Sequence, residues 1–272
     1  MSKKKLVNGI NEVSNADYHA DNEYMSSSDL KLILESAEKF RDKKILGKRE
    51  ERQKKSFFDE GSLTHSLILE PEMVSKEYIF WDGYIKRGKI WEAFKSANER
   101  DGVTIMSSPQ VKRCQSYLEA YKRNPVAAKF IEGGHPEKTI CQEWNGVKVK
   151  ARTDYINVEK GYIADVKTSA RPIDLDSFRM TIEQYKYDLS AYLYCKVAEL
   201  EYGKPFDFYF IVIDKKELYC EVYKASPATL NNGRMLVMRA VKKYKDCKKE
   251  DKWVDEPVER IFEDEEYEVL EI

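Results

Sequence analysis

The amino-acid sequence predicts a mixed α/β domain, with a helical N-terminal region followed by a central mixed β-sheet flanked by helices. Two observations carry that expectation. As far as Pro136, apolar residues recur at helical spacing. Beyond it the period shortens to that of strands, with Asn145-Gly146 as a two-residue hairpin signal. A third observation is size: 272 residues can bury a core without disulfides or a structural metal.

Met25-Ser26-Ser27-Ser28-Asp29 offers N-cap residues ahead of Leu30, Ile33, Leu34, Ala37 and Phe40, which share one helical face. A second helix is expected over 57–69, stopped by Pro71. Residues 72–136 read as helical and loop-like, punctuated by Pro109, Pro125 and Gly133-Gly134. Strands are expected over 139–144 and 147–156, joined by the hairpin turn, and over 162–168 after Gly161. One helix across about 176–200 precedes a strand pair at 206–213 and 218–223. Pro227 then opens a last helix running to about residue 244. The chain is read as one domain: a mostly helical part to 136, a sheet core over 137–253 and an acidic tail over 254–272.

Composition narrows the class. Net charge is −1, and no run approaches the roughly 20 apolar residues of a membrane span. The first residues lack the apolar core of a signal peptide, so a cytoplasmic protein is expected. Cys114, Cys141, Cys195, Cys220 and Cys247 are odd in number and widely spaced, without a C-x-x-C. Buried thiols are therefore expected rather than a disulfide framework or zinc ribbon. Charge is uneven: residues 41–55 hold eight Lys/Arg against three acids, and 255–272 hold nine acids against Arg260. The basic strip, including Lys54 and Lys55, is either a phosphate track or a solvated helix face.

The chemistry centres on Asp165-Val166-Lys167. Four other D-x-K triplets begin at Asp29, Asp42, Asp214 and Asp246, so the triplet alone says little. On a strand, Asp165 and Lys167 project to one face, and Ala164 and Val166 to the other. Residues 157–161 form a turn between two antiparallel strands. If Asn157 pairs near Gly161 or Tyr162, Asp154 falls opposite Ala164 or Asp165, with Cβ atoms about 4.5–5.5 Å apart when directly opposed. Two carboxylates so close repel unless a cation lies between them. Magnesium suits such a pair and accepts phosphate oxygens, which points to phosphodiester hydrolysis, with Lys167 offsetting charge on the phosphate. The competing reading is a salt-bridge ladder on a half-buried hairpin. His65 is a second candidate ligand, because Gly61 and Ser62, one turn earlier on its face, leave room beside the imidazole.

Gly61-x-x-x-His65, Lys150-Ala-Arg-x-Asp154 and Ala164-Asp165-Val166-Lys167-Thr168 resemble the ordered motifs of the exonuclease VIII (RecE-type) PD-(D/E)xK nucleases. The segment Tyr187–Tyr194 is similar to that family's helical Q-x-x-x-Y motif, with Ser190 where glutamine is usual and Tyr194 matching. Asp17-Tyr18-His19, Leu69-Glu70-Pro71 and a last helix ending near Trp253 extend the likeness over roughly residues 10–253.

The resemblance implies a restriction-endonuclease-like core. It further implies that His65, Asp154 and Asp165 are metal ligands, the Val166 carbonyl a further one, and Lys167 the catalytic lysine. Glu137 or Glu143 would be an accessory acid, and Ser190 and Tyr194 accessory contacts. Arg152 joins Lys54 and Lys55 as a candidate DNA contact. The implied activity is 5′→3′ digestion of linear double-stranded DNA, dependent on Mg²⁺ with Mn²⁺ able to substitute. It would leave 3′ single strands for a phage-type annealing protein, from a ring-like homo-oligomer. A structure-specific or restriction-type endonuclease of the same fold, and a non-catalytic DNA- or protein-binding module, are the alternatives.

Overall fold

The computed structural model describes residues 4–48 and 56–255. Its strands are β1 (Gly9–Asn11), β2 (Tyr78–Trp81), β3 (Thr104–Ser107), β4 (His135–Trp144), β5 (Val147–Asn157), β6 (Tyr162–Ser169), β7 (Asp207–Asp214) and β8 (Cys220–Lys224). Six of them form a sheet in the order β1-β4-β5-β6-β7-β8. All its neighbours are antiparallel except β6 and β7, which run parallel. A parallel pair needs a crossover, and the helices Leu175–Tyr185 and Tyr187–Tyr202 supply it.

The strand alternation expected for β6 holds. Ile163 packs with Leu189, Leu193 and Val197 of the crossover and with Val237 and Val241 of the last helix, Pro227–Glu250. Ala164 and Val166 pack on the other face with Tyr117, Ala120 and Tyr121 of helix Ser108–Lys122 and with Ile68 and Leu69. Both faces of the central strands are covered, so the first five residues of β6 and the last five of β7 are buried. Helix Ser27–Glu35 starts where the N-cap residues indicate. The Ser26 side chain accepts from Asp29 N–H, and Asp29 accepts from Ser26 N–H at 2.9 Å, a reciprocal cap.

Three expectations need correction, and one strand was not expected at all. Residues 72–136 are not only helix and loop: β2 and β3 pair there in parallel as a small second sheet. The short β1 adds an edge strand that no alternating pattern announces. The expected single helix over 176–200 is two, broken at Lys186, whose φ is 49°. No glycine or proline marks that break, and a non-glycine residue in the left-handed region is costly unless its surroundings hold it. The last helix runs six residues further than expected, to Glu250, where Asp251 (φ 50°) takes the left-handed cap position.

The basic strip is partly interior. Lys44 is buried and donates to the carbonyl of Tyr24 at 2.7 Å and to Asp29 at 3.0 Å, while Lys48 pairs with Asp42. Lys54 and Lys55 lie outside the described residues. Lys150 is buried on β5 and donates to the carbonyls of Tyr18 (2.6 Å) and Asp21 (2.9 Å). The two lysines fasten residues 18–29 against the sheet, because each charge is satisfied only by that segment. The five thiols form no disulfide. All are buried but Cys195, which is half-buried. No helix among the described residues is long and apolar enough to cross a membrane.

Candidate metal centre

β5 and β6 pair as Asn157↔Tyr162, Ile156↔Ile163 and Tyr155↔Ala164, the register that carries Asp154 towards Asp165. The ladder stops there. Beyond it the Asp154 carboxylate takes the place of a strand carbonyl and accepts the Val166 N–H at 2.8 Å. The strands part around that carboxylate, opening a polar notch between them. On the other side β4 pairs with β5 from His135↔Ile156 to Trp144↔Val147, but the position opposite Asp154 is missing from the ladder. That position is Glu137, held at φ 49°. The twist turns its side chain to Asp154 in place of backbone pairing.

Helix Ser56–Leu69 closes the notch. Its buried Leu63, Ile68 and Leu69 hold it on the core, and Glu60 ties it to the neighbouring helix through a two-pronged pair with Arg113, at 2.6 and 3.1 Å. His65 Nδ1 then comes 3.4 Å from the Asp154 carboxylate. Ligand atoms of His65, Glu137 and Asp154 all lie within 4.8 Å of one another. One imidazole and two carboxylates form a donor set that fits a divalent cation such as Mg²⁺ or Mn²⁺, the nitrogen favouring the latter.

Electrostatics agrees with the geometry. Burial and then the Asp154 charge push Glu137 up to about 7, against the pull of Arg152. Between its ordinary value of 4.5 and about 7, the folded chain keeps a proton there that the unfolded chain releases. This contribution to stability is therefore complete below about 4.5 and is lost as pH rises through about 7. A bound cation needs the ionised carboxylate, so it should stabilise the protein more at about pH 8 than at about pH 5.5. Melting curves with and without Mn²⁺ at the two pH values test this. Equal increments would remove Glu137 from the ligand set.

Asp165 is buried at 6 % exposure and pairs with Lys167. Burial pushes its carboxyl up, and the nearby Asp154 charge adds to that. Burial opposes the Lys167 charge, yet Asp165 and Asp154 outweigh it and hold the ammonium above its ordinary value. Lys167 also lies 3.4 Å from the Val166 carbonyl and 5.5 Å from the centre of the Tyr187 ring. His65, Glu137, Asp154 and Lys167 line one cleft of about 900 Å³, shared with His19, Ser26 and Tyr194. A family model described as a PDDEXK-like domain of unknown function (DUF3799) matches residues 26–260.

The chain belongs to this PDDEXK-like family. No curated protein matches the sequence. Among solved structures, a Eubacterium rectale protein described as a "putative exonuclease" is similar at 15% identity, over 93% of this chain and 99% of that one, with a TM-score of 0.62. At that identity the likeness speaks for the fold.

Within this PDDEXK-like chain the expected site residues sort as follows. His65 and Asp154 come together, joined by Glu137, each offering one atom that could bind a metal ion. Asp165 is not in that cluster, and its carboxylate grips Lys167 instead. Glu143 is exposed near the hairpin turn and pairs in register with Lys148, about 20 Å along the strand from Glu137, so it is no part of the site. Tyr194 lines the cleft. Burial and then Asp165 push its hydroxyl up to about 12. Ser190, half-buried one turn earlier, does not line it.

Arg152 is not a free DNA contact. It donates to Glu137 at 2.6 Å, to the Val13 carbonyl at 3.1 Å and to Thr139 at 3.2 Å, and so fixes the orientation of the Glu137 carboxylate. Lys31, whose Asp29-x-Lys31 triplet looked like chance, stands 5.4 Å from the Tyr187 ring centre. Burial and then Lys167 lower its ammonium to about 8.

Proposed function

We propose that the chain is a metal-dependent deoxyribonuclease acting as a 5′→3′ exonuclease on linear double-stranded DNA. One observation carries the hydrolytic part: His65, Glu137 and Asp154 converge within 4.8 Å, in the same cleft as an ammonium held charged by two carboxylates. A divalent cation bound there supplies Lewis-acid activation of the phosphodiester and of the attacking water. His65, Glu137 and Asp154 would hold it, with the Asp165 carboxylate and the Val166 carbonyl as further oxygens nearby. Lys167, kept protonated, orients the water and offsets charge gathering on the phosphate. Arg152 holds the Glu137 carboxylate beside His65 and Asp154.

The exonuclease polarity, the phage-type annealing partner and the ring-like assembly rest on the motif resemblance, and the printed description of the similar structure bears only on exonuclease action. Linear duplex labelled at one 5′ or one 3′ end, with and without Mg²⁺, tests the reading. Early release of the 5′ label and survival of the 3′ label are expected, with covalently closed circles untouched. Nicked circles would make the protein an endonuclease. Inertness in both Mg²⁺ and Mn²⁺ would leave a binding module.

A further inference from the structure

Tyr185 and Tyr187 are two residues apart, a separation that in an unbroken helix turns side chains away from each other. The left-handed Lys186 interrupts the helix between them, and the rings stack, 5.6 Å between centres with planes at 23°. Both rings line the cleft. The stack carries cations at each end: Lys167 over Tyr187 at 5.5 Å, and the Arg171 guanidinium over Tyr185 at 5.7 Å. Arg171 is steadied further. Its N–H donates to Ser169 Oγ at 3.0 Å, that hydroxyl donates to its carbonyl at 2.9 Å, and its guanidinium donates to Gln184. Lys215 joins the same wall, because its N–H donates to the Ser169 carbonyl at 2.8 Å at the shared end of β6 and β7.

These two cations differ from several others around the site. Arg152 has Glu137, Arg113 has Glu60, and Lys150 has Asp21. Among the described residues Arg171 and Lys215 make no ion pair. A cleft wall with built-in, uncompensated cations beside a cation-binding centre attracts an extended polyanion. At about 900 Å³ the cleft has the capacity of a large small-molecule pocket, enough for a few nucleotides of one strand.

Resting on the nuclease reading above, we propose that Arg171 and Lys215 bind the backbone phosphates flanking the scissile one on a single strand drawn into the cleft. The Tyr185–Tyr187 stack is the positioning element that aims Arg171 at that strand. Arg171 and Lys215 are thus binding residues, and Tyr185 acts through Arg171.

The test is fluorescence anisotropy of a short linear duplex with an unpaired end, with Ca²⁺ replacing Mg²⁺ to suppress cleavage, across a salt series. Arg171→Ala and Lys215→Ala should each weaken binding and flatten the slope of log K against log salt by about 0.7, the increment for one single-strand phosphate contact. The double variant should lose about twice that. Tyr185→Ala should reproduce the Arg171→Ala slope, and Tyr185→Phe should keep the wild-type slope. If Tyr185→Ala fails to fold, Tyr185→Leu takes its place. Wild-type slopes in both cation variants would overturn the proposal while leaving the nuclease reading intact. A wild-type slope in Tyr185→Ala or Tyr185→Leu, beside a flattened Arg171→Ala, would overturn the positioning role. A wild-type protein that neither binds nor cleaves DNA would instead sink the nuclease reading, and this inference with it.

Discussion

Lys167→Ala is expected to slow phosphodiester cleavage about 1,000-fold, the usual loss when a preorganised donor is removed from a developing negative charge. That is about 4 kcal/mol of barrier. Lys167 is suited to the role because Asp165 and Asp154 keep its ammonium protonated throughout the working pH range. The same contacts make alanine a harsh substitution, since Asp165 is buried and would lose its cation. Lys167→Met, which keeps most of the volume, and Lys167→Arg, which keeps the charge, separate chemistry from stability. Single-turnover rates on linear duplex with excess Mg²⁺ should fall for Ala and Met alike and recover in part for Arg. Activity of Lys167→Met within several-fold of wild type would exclude the lysine from the chemistry.

Asp154→Asn is expected to be at least as damaging, through a different route. The asparagine carbonyl can still accept the Val166 N–H, so the parting of the strands survives. What disappears is a negative charge in the cation's grip. Mn²⁺ affinity by calorimetry should drop about 100-fold and cleavage about 1,000-fold or more. The metal-free variant should melt higher than wild type near pH 8, because Glu137 no longer faces a like charge. Unchanged Mn²⁺ affinity would dismantle the proposed centre.

Much of this site could be read from the chain because its geometry is local. The Asn145-Gly146 turn and the short 157–161 connection fix the β4–β5–β6 registers, and strand alternation separates Asp165 and Lys167 from Ala164 and Val166. The choice between Glu137 and Glu143 was also within reach. Both lie on one side of β4, so periodicity cannot separate them. Counting back from the Trp144↔Val147 pair, however, brings Glu137 opposite Asp154 and leaves Glu143 opposite Lys148.

Other features were not legible, for physical reasons. The left-handed backbones fall on Glu137 and Lys186, neither of them the glycine or asparagine that usually announces that conformation. Lys31 reaches Tyr187 because buried Lys44 and Lys150 clamp the N-terminal segment, a contact between residues more than a hundred apart in sequence. Arg152 looked like a DNA contact because its basic character is visible in the chain, whereas its carboxylate partner is visible only in the fold.

Position 137 has a consequence for lineages. A glutamate there bears backbone strain of about 1–3 kcal/mol and sits beside another acid, and the Arg152 pair is the folding contact that offsets these costs. Glycine or asparagine would suit that backbone better in a chain with no ion to hold. A relative that has abandoned hydrolysis should drift at this site before most others, and one that keeps an acid here under the same twist should still be at work.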